Sequence, residues 1–377
     1  MKFIHTADLH LGKIVNGFSM LDDQEYILNE IIKIIDEEEP DGILIAGDVY
    51  DKTSPSSPSV ALFDDFLYEL SLRDADIFII SGNHDSPQRL SFGSRIMKKN
   101  RIHISPVYEG KAEHIILEDE SGPVNVYLLP FIKPAQVRPF FPENKIEDYT
   151  DAVRCAVKAM RPDENERNIL VAHQFVTGAV TFRSEELSIG GLDNVDADVF
   201  DAFDYVALGH LHGPQNIGSE RIRYAGTPLK YSFSECSHKK SVTIVELKEK
   251  GDLNVSTRKL SPARDMKEIR GEYAEVTLKD FYKDPDLKDA YLHITLTDEE
   301  DIPEALGRLK AVYPNLMKLD YDNKRTRSLK AADETNMAED DMDPLDIFKR
   351  IYEAQNNSSL SEKQEELLRG LIEEIWE

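Results

Sequence analysis

Short apolar runs recur along the first two thirds of the chain, and between them the apolar positions fall into helical spacing. Phe3–Thr6, Gly42–Ala46, Ile77–Ser81, Val124–Leu129, Asn168–Ala172, Tyr205–Leu208, Ile222–Ala225 and Val242–Leu247 each have the length and content of a buried strand. Between the first two, Asp23–Glu38 carries Tyr26, Ile27, Ile31, Ile34 and Ile35 on one helical stripe. Pro40 ends it, because proline disfavours helix at the residue before it. Ser59–Leu72 repeats the pattern, with Val60, Phe63, Phe66, Leu67 and Leu70 inward and Pro58 near the start. Early strand–helix–strand alternation followed by strands with shorter links predicts an α/β sandwich over residues 1–265 rather than one purely parallel sheet.

The texture changes after Ser261-Pro262. Glu275–Leu278, Tyr291–Thr297, a helix-like Ile302–Val312 and Met317–Tyr321 predict a small β-β-α-β unit, giving a second α/β domain over 266–330. Residues 331–342 are acidic and nearly devoid of large apolar side chains, and read as a linker. The tail, 343–377, reads as two helices. Asp343-Pro344 starts one with Leu345, Phe348, Ile351 and Tyr352 on a stripe. Ser361 and Gln364 form a capping-box pattern ahead of Leu367, Leu368, Leu371, Ile372, Ile375 and Trp376.

Composition adds two constraints. With 41% apolar residues and no apolar run near the ~20 residues a spanning helix needs, the chain is expected to be neither disordered nor membrane-embedded. MKFIHTADLH runs straight into a strand bearing His5, Asp8 and His10, unlike a secretory signal, and Cys155 and Cys236 offer no disulfide framework. A cytoplasmic protein is the expectation. The net charge of −26 argues against a free-standing nucleic-acid binder, since phosphates are held by Lys and Arg. That objection weakens because fourteen acidic and only four basic residues lie between 331 and 377.

The chemistry gathers where the apolar runs stop. FIHTADLH ends in Asp8 and His10, GILIAGDVYD in Asp48 and Asp51, IISGNHD in Asn83, His84 and Asp85, NILVAHQ in His173, and YVALGHLH in His210 and His212. Ligand-binding groups collect at such carboxyl ends in α/β sheets. Oxygen and imidazole donors without thiolate suit Mn²⁺, Fe²⁺ or Zn²⁺. The candidates outnumber what one ion takes and fit two ions sharing a carboxylate. The D-x-H and H-x-H spacings would send both side chains the same way from an extended segment. Gly47, Gly82 and Gly209 precede three of the sets, as expected where the backbone must turn with nothing in the way.

In this order, D-x-H, G-D-x-x-D, G-N-H-D, a lone His and G-H-x-H resemble the calcineurin-like metallophosphoesterase signature. HTADLHLGK, SGNHDSPQRL, ALGHLHGPQ and AGTPLKYSFSE are similar, more narrowly, to the SbcD family of nucleases. The resemblance implies an αββα sandwich, a small capping domain at 266–330 and a helical tail at 343–377 that docks a partner. It implies Asp8, His10, Asp48 and His212 around one metal, and Asp48, Asn83, His173 and His210 around the other, with Mn²⁺ the expected ion. His84 would stay off the metals and face the scissile phosphate, while Asp51 and Asp85 would support the ligands from behind. Asp51 stands where some relatives carry histidine. The activity implied is hydrolysis of DNA phosphodiesters, exonucleolytic and hairpin-cleaving, in DNA repair, recombination and replication, with an SbcC-type ATPase and a homodimer as partners. The alternatives on the same fold are a phosphomonoesterase or cyclic-nucleotide phosphodiesterase, or a non-catalytic scaffold. A second domain and a tail would serve a small-molecule phosphatase poorly, and a scaffold would be expected to have lost ligands.

Overall fold

The structure, a computed structural model, describes residues 1–180 and 194–327 apart from 283, 301 and 325, with isolated positions between 345 and 369. Its first sheet takes β1 (Lys2–Thr6), β2 (Gly42–Ala46), β3 (Asp76–Ile80) and β4 (Ile102–Ile104) in parallel. The second adds β5 (Glu113–Asp119), β6 (Gly122–Leu129), β7 (Arg167–His173), β8 (Tyr205–Gly209), β9 (Gln215–Ile217) and β10 (Ser219–Tyr224), in the order β9-β10-β8-β7-β6-β5. Two later strands, β11 (Ser241–Leu247) and β12 (Leu253–Lys259), return antiparallel to the open side of β1 and complete the first sheet as β12-β11-β1-β2-β3-β4.

The two sheets face each other across a dry layer that includes Phe3, Leu44, Phe78 and Ile80 from one and Val126, Leu128, Val171 and Tyr205 from the other. Strands buried on both faces read as unbroken apolar runs, which is why most of them were legible. The outer face of the first sheet is covered by α1 (Leu21–Glu38) and α2 (Ser57–Ser71), and that of the second by α3 (Tyr149–Met160). This is an αββα sandwich. On α1 the inward set is Ile27, Leu28, Ile31, Ile34 and Ile35, whereas Tyr26 is 41% exposed. Val60 of α2 also faces out, at 45%. Each lies at the margin of its stripe. Ser56 caps α2, its Oγ accepting from the Ser59 N–H at 3.3 Å, with Pro58 in the first turn.

Beyond the sandwich, β13 (Met266–Gly271), β14 (Tyr291–Leu296) and β15 (Leu316–Tyr321) pair in parallel, with α4 (Ala305–Val312) between the last two. Ile269, Val276, Leu292, Ile294, Leu309 and Leu316 form a separate small core. The expected β-β-α-β order is corrected here. Glu275–Leu278 is not a strand; its first residues belong to a helical turn, Tyr273–Val276, and the first strand is Met266–Gly271 instead. The turn is held by Asp298, whose Oδ2 accepts the Tyr273 N–H at 2.7 Å, and by Thr277, whose Oγ1 donates to the Tyr273 carbonyl at 2.7 Å. Such side-chain bonds outbid the alternating pattern of Ala274–Leu278. The expected linker, 331–342, lies outside the described residues, as does most of the expected helical tail. Of the capping box, Gln364 Oε1 accepts the Ser361 N–H at 2.9 Å.

Candidate metal centre

All five polar clusters sit at the carboxyl ends of parallel strands: Asp8 and His10 beyond β1, Asp48 and Asp51 beyond β2, Asn83–Asp85 beyond β3, His173 closing β7, and His210 and His212 beyond β8. Both sheets therefore contribute, and the site lies over the seam between them. The loops stay laced together past the ladder. Asp8 N–H donates to the Gly47 carbonyl at 3.0 Å, His10 to Asp48 at 2.9 Å and Leu11 to Val49 at 2.9 Å.

The local backbone is not extended, contrary to the expectation from the D-x-H spacing. Asp8, His10, Asp48 and His210 have φ of 55°, 46°, 48° and 106°. A non-glycine residue in this region is held there at a cost of order 1–3 kcal/mol, and such residues cluster where function demands them. The side chains converge through these left-handed turns rather than along one face of a strand. Of the three glycines, only Gly47 needs its freedom of φ, at 87°. Gly82 and Gly209 serve by bare proximity: a Cβ on the first would run into the Asp48 carboxylate, and on the second into the Ala46 carbonyl.

Asp48 is the hub. It is 2% exposed, and its Oδ2 lies 3.4 Å from His173 Nε2, 3.7 Å from His10 Nε2 and 4.0 Å from His84 Nε2. Its other oxygen accepts the His84 N–H at 2.9 Å. Burial pushes this carboxyl up, but the facing imidazoles of His173, His10 and His84 outweigh that and hold it well below the usual range. On one side, Asn83 Oδ1 stands 3.0 Å from His173 Nε2 and 3.1 Å from His210 Nδ1. His173 Nδ1 donates to the Ala46 carbonyl at 2.8 Å, which leaves Nε2 with the lone pair. On the other side, His10 packs edge-on to His84 and His212, with centroids 4.9 and 5.2 Å away.

The electrostatics sort these histidines. Burial and the neighbouring charge of His173 keep His210 down at about 3, and burial likewise keeps His10 neutral. Burial would lower His173 as well, yet the charges of Asp48 and Asp8 and the bond to Asp48 raise it to about 9. The two carboxylates thus favour positive charge at the centre, while the neutral rings offer lone pairs. Among the described residues, neither ring nitrogen of His10 has a hydrogen-bond partner, nor has Nε2 of His210. Buried polar atoms are seldom left so, and these are donor atoms suited to a cation. Asp8–Asp48–His173 and His10–Asp48–His84 each bring their donor atoms within 4.8 Å of one another. The donor set, carboxylate, imidazole and amide oxygen around a shared Asp48, fits divalent metal.

His84 differs from the rest. Its side chain keeps 20% of its surface exposed, and Nδ1 donates to the Asp51 carbonyl at 3.2 Å, which points the ring at the open side. The Asp51 carboxylate pairs with Lys13 Nζ at 2.7 Å. Asp85 is a fastener for backbone: its carboxylate accepts from the N–H groups of Val49 (3.1 Å), Tyr50 (2.9 Å) and Gly82 (3.0 Å). Burial and the Asp48 charge push it up to about 6 against those three donors.

Sequence reasoning missed the support behind His212. Its Nδ1 meets Glu235 Oε1 at 3.0 Å, and the buried Lys240 Nζ bonds Glu235 Oε2 (2.6 Å), Thr227 Oγ1 (2.6 Å) and the His212 carbonyl (2.9 Å). Burial raises Glu235, but the His212 bond and the Lys240 charge draw it well below its ordinary range. Gln24 and Tyr231 do the same for the first loop. Gln24 Nε2 donates to the His10 carbonyl at 2.8 Å and to Tyr231 Oη at 2.9 Å, and Tyr231 donates to Leu9. The only signal was Tyr231 and Glu235 inside KYSFSE, which has no metal-ligand spacing.

Residues 1–214 match the calcineurin-like phosphoesterase family profile, and residues 262–356 match that of the type 5 capsule protein repressor C-terminal domain. The SbcD component of the nuclease SbcCD from Staphylococcus epidermidis is 34% identical over 379 residues, covering 99% of this chain and 98% of that one. A dimetal phosphatase structure from Danio rerio aligns over 68% of this chain and 96% of its own at 12% identity and a TM-score of 0.39, too slight a likeness to carry weight.

Proposed function

Because the chain belongs to the calcineurin-like phosphoesterase family, we propose that it is a metal-dependent DNA nuclease, acting in DNA repair and recombination as the catalytic partner of an SbcC-type ATPase. The observation that carries this is the Asp48 oxygen faced by imidazoles from both sheets at 3.4–4.0 Å, in a chain aligned end to end with a component of a nuclease. Asp8, His10, Asp48 and His212 would hold one divalent ion, and Asp48, Asn83, His173 and His210 the other. Mn²⁺ is the ion we assign. When bound, such a pair supplies Lewis acidity at the phosphoryl oxygens.

The residues do the rest. Asp48, ionised and buried, fixes the shared position, and Asp85 holds the two loops that bracket it. His173 and His212 each commit Nδ1 to an oxygen behind them, which fixes the ring orientation. His84 faces outward with its Nδ1 bonded to Asp51, so that Nε2 is placed to donate a proton toward the leaving oxygen. We divide the chain into the nuclease domain (1–265), a capping domain (266–330), an acidic linker (331–342) and a tail (343–377) that docks the ATPase, in the cytoplasm. No described helix is long and apolar enough to cross a membrane. A homodimer through α1 and α2 is supported by outward Tyr26, Val60, Tyr68 and Leu72, 41–62% exposed, around a groove of about 390 Å³.

The test is Mn²⁺-dependent cleavage of end-labelled duplex and hairpin DNA by the purified chain, alone and with its partner. His84→Ala should keep Mn²⁺ binding and lose about 10²–10⁴-fold in rate. Turnover of a phosphomonoester without DNA cleavage, even with the partner added, would refute the nuclease reading. In the same preparations, deleting 343–377 should abolish co-purification with the ATPase, and Tyr68→Glu should shift sedimentation to monomer; unchanged behaviour in either would overturn that assignment.

A further inference from the structure

A chain of net charge −26 must still present somewhere a surface that a polyanion tolerates. One stretch is unlike all others. From Ser86 to Tyr108 there are five basic residues, Arg89, Arg95, Lys98, Lys99 and Arg101, and no acidic one, although acidic residues number 71 in the chain. The stretch starts directly after Asp85.

Its first turn, Pro87–Leu90, is fastened beside the site. Leu90 is buried, and Arg89 Nη1 donates to the Thr53 carbonyl (3.2 Å) and Ser54 Oγ (2.6 Å), in the loop that follows Asp51. The chain then turns at Gly93, φ 77°, into a second short helical turn, Ser94–Met97. Phe92 and Ile96 stand out here, 84% and 74% exposed. Large apolar side chains this bare, so close to a polar site, mark a surface that meets something. Beside them lie Arg95 and Lys99, which have no ion pair among the described residues. The remaining cations are occupied: Lys98 with Glu113 at 2.7 Å, Arg101 with Asp76 at 2.8 Å.

We propose that the Phe92–Lys99 ridge grips the DNA next to the scissile phosphate, Arg95 and Lys99 holding backbone phosphates while Phe92, flanked by Ile96, stacks on an end or unpaired base. The proposal rests on the nuclease reading above. Cations that track a backbone, interleaved with an aromatic that stacks on any base, form the combination by which strands are held without sequence preference. A protein partner fits less well, because the apolar pair projects rather than forming a groove and has no acidic residue beside it to complement a basic helix.

The experiment compares full-length wild type, Arg95→Ala/Lys99→Ala and Phe92→Ala. Duplex binding is followed against salt, DNA cleavage is assayed with Mn²⁺, and bis(4-nitrophenyl) phosphate serves as a diester without bases. The double variant should flatten the slope of log K against log salt by about 2, near 0.9 for each phosphate contact, and lose about tenfold in kcat/KM on DNA. Turnover of the small diester should be unchanged. Phe92→Ala should abolish the quenching of 2-aminopurine placed at the duplex end. Slopes, kcat/KM and quenching equal to wild type would overturn the proposal. So would loss of co-purification with the ATPase while the DNA parameters hold, which would assign the ridge to a protein. A wild type that cleaves the small diester but no DNA would sink the nuclease reading, and the binding slopes would still decide the ridge.

Discussion

Glu235 shows how far the active centre extends behind the groups that face it. A carboxylate on the far nitrogen of a ligating histidine fixes its tautomer and orientation, and losing one commonly costs 10–100-fold in metal affinity. Glu235→Gln should weaken Mn²⁺ binding by that range, measured by titration calorimetry. The same change strands the Lys240 ammonium, which burial already pulls below its ordinary range against the Glu235 charge. Removing one partner of a buried pair typically costs about 3–5 kcal/mol. Glu235→Gln/Lys240→Met separates the two effects, since it should recover the melting temperature and leave the metal affinity low. Unchanged affinity in the single variant would show that His212 needs no such support. Asp8, His10, Asp48, Asn83, His173, His210 and His212 were legible because each closes an apolar run. Glu235, Lys240, Tyr231 and Gln24 were not, because they reach the site from a loop and a helix face where nothing in sequence marks their neighbours.

Among the elements, legibility followed burial. Strands hidden on both faces announced themselves, whereas β5 and β12, edge strands with alternating exposure, carry too many polar residues to be told from loops. What closes the far end of the sandwich was equally silent in sequence. Arg167, 2% exposed at the start of β7, directs its guanidinium to the Asp119 carboxylate on β5 and to the carbonyls of Gly122, Pro123, Leu247 and Lys248. The chain's own amino terminus adds a contact to Asp119 at 3.0 Å. Residues from both sheets thus meet on one cation opposite the metal centre. The Arg167 bonds, opposed by burial and aided by the terminus, hold Asp119 well below its ordinary 3.8. A depressed native pKa means the folded state binds fewer protons than the unfolded one, so its stabilisation is complete above about pH 4 and fades as pH falls further. The stability gap between wild type and Asp119→Asn, from urea midpoints, should therefore be full at neutral pH and close in acid. A gap independent of pH would mean that shape rather than charge holds this corner.

At the scale of the molecule, the small parallel sheet and the sandwich meet through one buried carboxylate. Asp23, fully buried in the first turns of α1, accepts from Arg264 Nε (2.9 Å) and Nη2 (2.7 Å) and from the Tyr291 hydroxyl (2.7 Å). Around it Met266, Tyr291 and Met317 join the core that backs the first sheet, and Phe18 meets the Tyr291 ring edge-on at 5.8 Å. The joint therefore runs from the capping strands to α1, and through Gln24, the next residue, to the backbone of His10. A unit that read in sequence as separate after Ser261-Pro262 is thus mechanically tied to the loop that carries two candidate ligands. Asp23→Ala removes the acceptor of three bonds, two of them to a guanidinium, and leaves the Tyr291 hydroxyl buried without a partner. A loss of about 3 kcal/mol is expected from the charged bonds and the stranded hydroxyl together. If the joint also positions the site, the variant should show faster amide exchange at Leu9–Gly12 as well as in β14, under conditions where the sandwich stays folded. Exchange that rises in β14 alone would mean that the capping unit rides on the sandwich without steering it.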